Sequence, residues 1–167
     1  MTLYPSWRDA PAGDAWRWPH FTARELACKC GRHCRGEYFH DEAFLDGLEA
    51  LRTRMMAPLV VNSGRRCPLH NAAVGGAALS QHKLGVAADV RLAGHDPVRL
   101  AQRAAAIGFK GIGFGRTFLH LDVRVRPPGW KRAWLVPNAF HYPGAKAAWV
   151  KRFGFDPALK FATTGEL

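Results

Sequence analysis

Residues 118–125 alternate with a two-residue period, and this stretch constrains the fold most. Leu119, Leu121, Val123 and Val125 share one apolar face; His120, Asp122 and Arg124 share the other, where Phe118 opens the segment. A chain patterned this way is a strand with one face on a core, and here the polar face carries an imidazole beside a carboxylate. The apolar runs elsewhere are short. Residues 57–61 form one, and residues 85–90 are broken by Asp89. Neither approaches the roughly 20 residues of a membrane-spanning helix. The core must therefore be assembled from several short elements.

Helices are signalled at three places. Thr22-Ala23-Arg24-Glu25 has capping-box spacing. Residues 41–56 place Phe44, Leu45, Leu48, Leu51 and Met55 on one face, with Asp41 as a cap and Pro58 beyond the end. Asp96-Pro97 opens a third helix that stops at Gly108. Strands are expected at residues 59–61, 86–92, 111–114 and 118–125. Helices and strands in mixed order predict an α+β domain, a small antiparallel sheet with flanking helices. Residues 1–20, rich in Pro and Trp and without periodicity, read as an irregular arm. Residues 21–125 form the domain, and 126–167 read as a basic aromatic tail packed on it or trailing from it.

The 167 residues suit a single core, and 48% apolar with 22% charged residues excludes global disorder. Charge is less ordinary: 24 Lys and Arg against 13 Asp and Glu give +11. That field favours anionic partners such as nucleic acid, an envelope surface or acidic peptides. The first nine residues lack the basic and apolar regions of a secretory signal, so synthesis in a reducing cytosol is expected.

The chemistry concentrates in Ser80-Gln81-His82-Lys83-Leu84-Gly85-Val86-Ala87-Ala88-Asp89 and, thirty-one residues after Asp89, His120-Leu121-Asp122. A turn at Gly85 can bring His82 and Asp89 together, and the polar face of the last strand adds His120. Two imidazoles and one carboxylate are a catalytic-type zinc set that leaves one position open.

Ser63-Gly64-Arg65-Arg66, His70-Asn71, Val74-Gly75-Gly76-Ala77, Ser80-Gln81-His82, Gly85, Ala87-Ala88-Asp89 and Phe118-Leu119-His120-Leu121-Asp122 together resemble the zinc D-alanyl-D-alanine carboxypeptidase family. That family includes phage and prophage endolysin peptidases and shares its fold with hedgehog signalling domains. The resemblance implies that His82, Asp89 and His120 bind Zn²⁺, and that Arg66 reaches the site to polarise the scissile carbonyl or steady the oxyanion. Ser80 is a candidate to bind substrate or to support the turn. Several relatives carry a base two or three residues before the last zinc histidine, where this chain has Phe118 and Thr117. Asp122 is the nearest ionisable substitute, either as base or as support for a ligand, with His70 and His95 as weaker candidates.

The implied reaction is hydrolysis of amide bonds in bacterial peptidoglycan by an endolysin-like protein. Such a protein is made in the host cytoplasm and acts on the wall after release. D-Ala-D-Ala, L-Ala-D-Glu and D-Ala-diaminopimelate bonds all fit. A non-catalytic basic zinc protein that grips nucleic acid or envelope polymer is the other reading. No nucleic-acid-binding fingerprint is present, so nucleic acid is not expected as a partner, and a monomer is.

Cys28, Cys30, Cys34 and Cys67 are not two C-x-x-C pairs. Structural metal, disulfides formed after release, and reduced thiols all remain open. Arg124, Arg126, Lys131, Arg132, Lys146, Lys151, Arg152 and Lys160, interleaved with Trp130, Trp134, Phe140, Trp149 and Phe153, read as a basic aromatic surface for anionic envelope, or as a solvated face.

Overall fold

The computed structural model describes residues 1–123, 138–154 and 156. In chain order the elements are β1 (Thr2–Tyr4), α1 (Ala23–Leu26), β2 (Tyr38–His40), α2 (Glu42–Met55), β3 (Val61–Ser63), α3 (Pro68–Ala73), β4 (Ala87–Arg91), α4 (Pro97–Ile107), β5 (Gly111–Phe114), β6 (Phe118–Asp122), β7 (Asn138–His141) and α5 (Ala145–Phe153). No described helix is long and apolar enough to cross a membrane. The chain is α+β, as its patterning requires.

Local chemistry accounts for the helices foreseen from sequence. Thr22 and Glu25 form the complete capping box of α1. Asp41 accepts from the Phe44 amide to start α2, which ends on Met56 in the left-handed conformation. Asp96 accepts from the amides of Val98 and Arg99, and Gly108 closes α4. Phe44, Leu45, Leu48 and Leu51 of α2 are at most 2% exposed. Each such burial is worth about 1.5–3 kcal/mol.

The main sheet runs β3-β4-β6-β5-β7. Its first three pairings are antiparallel, and β7 joins β5 in parallel. Its apolar face, including Val90, Ile112, Phe114, Leu119 and Leu121, forms one core with α2 and α4. Register then builds the other face. Ser63 pairs with Asp89, Asp89 with His120, His120 with Gly113 and Gly113 with Phe140, one row across all five strands.

Three expectations need correction. The N-terminal arm is not irregular: β1 pairs with β2, and Trp18 is buried in the core with its indole N–H donating to Asp46. The strand expected at 59–61 begins at Val61, and Leu59 packs in the core ahead of it. Much of the expected tail belongs to the domain. β7 extends the sheet, and Trp149 of α5 is buried against Phe114 with its indole N–H on the Gly115 carbonyl. Trp149 is thus core rather than surface, because a ring that size buries more apolar area inside than a basic face could use. Lys146, Lys151 and Arg152 are exposed. Arg124, Arg126, Trp130, Lys131, Arg132, Trp134, Lys160 and the Phe153 side chain lie outside the described residues.

Candidate active site

Cross-strand pairing sets Asp89 of β4 directly opposite His120 of β6, with side chains on the same face. His82 reaches them from a 3-10 turn, Gln81–Leu84, closed by Gly85 at φ +68°. Asp89 Oδ1 lies 3.1 Å from His82 Nε2 and 2.9 Å from His120 Nδ1, and the two nitrogens are 3.0 Å apart. All three residues are buried.

The outer atoms of each ring explain this convergence. His82 Nδ1 faces the Gly64 carbonyl at 2.6 Å, and His120 Nε2 faces Asp122 Oδ2 at 3.0 Å. Both partners are acceptors, so the ring protons sit on those outer nitrogens and the inner nitrogens present lone pairs. Asp89 Oδ2 accepts from Arg66 Nη2 at 2.6 Å, which leaves Oδ1 for the centre. Three lone-pair atoms held about 3 Å apart repel one another unless a proton or a cation lies among them. A zinc ion bound at about 2.0–2.1 Å in tetrahedral geometry spaces its ligands about 3.3 Å apart. The triangle fits a metal ion with three protein ligands and an open fourth position.

The electrostatics of the three groups differ. Burial lowers the pKa of His82, which favours the neutral imidazole a ligand must be. Burial alone would raise that of Asp89, but the two imidazoles beside it outweigh this and hold the carboxyl well below the usual range. Burial would likewise lower His120, and the carboxylates of Asp122 and Asp89 overcome this and raise it.

Arg66 is held by two bonds, Nη2 to Asp89 and Nε to Ser63 Oγ at 3.0 Å. Its amide also donates to the His82 carbonyl, while His82 donates to Gly64, so the two segments clamp each other. A cleft of about 900 Å³ opens over the triangle, lined in part by Arg66, Ser80, Phe118, Phe140 and Tyr142. The Ser80 side chain makes no capping bond to its own turn and borders this cleft.

Asp122 contacts the outer side of the His120 ring. It sits behind His120, on the ring nitrogen opposite the one that faces Asp89, and is 0% exposed. Of the two roles expected of Asp122, support for a ligand is the one this contact with His120 favours, although Asp122 also borders the cleft. Gly111 makes the position possible, since a Cβ there would stand 2.1 Å from Asp122 Oδ2. His70 borders the cleft with Nδ1 3.2 Å from Cys28 Sγ. His95 is not brought to the site; its Nε2 donates to the Pro58 carbonyl.

Sequence reasoning missed the wall formed by Phe140 and Tyr142, whose rings stand 5.8 and 5.9 Å from that of His120. Their only linear signal was an aromatic content assigned to a tail. It also quoted Gly64 within a motif without giving it a role. A Cβ there would meet the Leu26 backbone at 2.4 Å, so only glycine lets this strand end cross α1 and aim its carbonyl at His82.

Comparison with curated proteins gives no match. A family model described as Peptidase M15 matches residues 19–122, the span that contains every residue of the triangle and its supports. With well over half of its 167 residues matched and a His-Asp-His triad that could hold a metal ion at the base of its cleft, this chain belongs to the Peptidase M15 family of zinc-dependent peptidases.

Proposed function

We propose that this peptidase hydrolyses amide bonds in the peptide stems or cross-links of bacterial peptidoglycan, in the role of a phage or prophage endolysin. The observation that carries the reading is the triangle of inward lone pairs on His82, Asp89 and His120 beneath a cleft bordered by Arg66. Bound zinc supplies the Lewis acidity that amide hydrolysis at neutral pH requires.

The remaining chemistry belongs to the side chains. His82, Asp89 and His120 are the ligands. Asp122 is a positioning residue: it holds the Nε2 proton of His120 and so keeps the Nδ1 lone pair toward the centre. Arg66 uses two donors on Asp89 and Ser63, and its further N–H groups serve the carbonyl oxygen as charge builds on it. Ser80 Oγ binds the substrate backbone at the cleft edge.

The chemistry of the stem peptide supports the substrate class. Stems carry free carboxylates, and a +11 chain with Arg66 in its cleft attracts them. The protein acts as a monomer on the wall after release from the cytoplasm. Its basic C-terminal segment adds contact with anionic outer envelope, which salt-sensitive binding to lipopolysaccharide-containing vesicles would report.

Digestion of purified murein, with and without chelator, followed by mass spectrometry of the products, tests the reading. Soluble muropeptides that gain water at one amide bond, and vanish with chelator, are expected. Intact murein after incubation with zinc-loaded protein would overturn it.

A further inference from the structure

The chemistry of the cleft leaves four cysteines unused. Cys28 and Cys67 are buried, and Cys30 and Cys34 are half-buried; all four are free thiols. Residues 27–37 contain neither helix nor strand. The Cys28 amide donates to the Glu37 carbonyl and closes this loop on itself. The Arg65 amide donates to the Leu26 carbonyl at 2.7 Å, and this carries Cys67, the N-cap of α3, against the loop.

The sulfurs meet there. Cys30 Sγ lies 3.5 Å from Cys34 Sγ and 4.0 Å from Cys67 Sγ, and all four sulfurs fall within 4.8 Å of one another. Zinc bound to four thiolates at about 2.3 Å in a tetrahedron spaces the sulfurs about 3.8 Å apart. Backbone amides point at these atoms. The Cys67 amide is 3.3 Å from Cys28 Sγ, and the His70 amide 3.4 Å from Cys67 Sγ. Such N–H groups stabilise thiolate charge. His70 Nδ1 lies 3.2 Å from Cys28 Sγ, within hydrogen-bond reach.

We propose that Cys28, Cys30, Cys34 and Cys67 hold a second zinc ion, in a closed structural site separate from the His82, Asp89 and His120 triangle. Four protein ligands leave no open position, so this ion takes no part in hydrolysis. It fastens the 27–37 loop to the segment that carries Arg66, one residue before Cys67, and Gly64, three residues before it. Arg66 bonds to Asp89 and Gly64 orients His82, so the second ion braces the active site from behind.

The test reads metal rather than activity, so it stands apart from the peptidase reading. Wild-type protein purified under reducing conditions should contain two zinc ions per chain by elemental analysis, and His82→Ala should keep one. A mercurial thiol reagent should release one equivalent of zinc from the wild type to a chromogenic chelator. Cobalt-loaded wild type should show an intense thiolate-to-cobalt charge-transfer band that Cys30→Ser weakens. The mercurial experiment and the wild-type cobalt spectrum use the intact chain, so misfolding of a variant does not affect them. A cobalt protein without that band would overturn the proposal. So would zinc that disappears entirely in a folded His82→Ala, or disulfide-linked cysteines in the native protein.

Discussion

Replacing Asp122 with Asn separates a positioning carboxylate from a base. Asp122 Oδ2 accepts from His120 Nε2 at 3.0 Å, with both side chains buried. Asn keeps the volume and can turn its carbonyl toward the same N–H, so the bond survives but loses its charge. Hydrogen bonds to charged groups are worth about 1.5–3 kcal/mol and neutral ones about 1 kcal/mol. The difference, about 0.5–2 kcal/mol, corresponds to roughly 2- to 30-fold in zinc affinity. Losing a group that orients a metal-bound histidine typically costs about 10–100-fold, which overlaps that range. Competition against a chromogenic chelator measures the affinity, and murein hydrolysis across a zinc titration measures the rate. Asp122→Asn should bind zinc more weakly by about tenfold and recover to within a few-fold of wild-type rate once zinc saturates. Unchanged affinity with a rate still down about 10²-fold at saturation would refute this reasoning and make Asp122 the base, since general-base losses are of that size and metal does not rescue them.

Other perturbations follow from the same structure. Arg66→Ala should fold and bind zinc at saturation but lose about 10²–10³ in kcat on muropeptides, the usual cost of one oxyanion donor. Gly64→Ala should lose at least about 2 kcal/mol in a urea melt, because its Cβ would stand 2.4 Å from the Leu26 backbone, which cannot move aside as a side chain can. Dialysis against chelator should abolish hydrolysis, and zinc should restore it. His40, packed among Trp16, Trp18 and Tyr38, has its pKa lowered by burial from 6.5. The unfolded chain therefore takes up a proton there first as pH falls below about 6.5, and stability declines through that window until the folded histidine also protonates. His40→Gln should flatten that part of a stability-versus-pH curve.

Local rules settled much of this protein in advance. The capping box at Thr22, the caps at Asp41 and Asp96, and the Gly108 stop act within one helical turn, so the residues themselves carry the information. The two-residue period of residues 118–122 likewise put His120 and Asp122 on one face, because alternation is intrinsic to a strand. Short elements without such signals stayed hidden. α3 begins on a cysteine cap, and β7 exists only because β5 offers an edge to pair with. Tertiary structure alone decided which end of the His120 ring meets Asp89 and which meets Asp122. That choice depends on the register between β4 and β6, set by contacts among residues about thirty apart in sequence. The cysteines follow the same logic: their linear spacing matches no familiar pattern. They converge because the Leu26 carbonyl and the Arg65 amide, 39 residues apart, form one backbone hydrogen bond across a glycine.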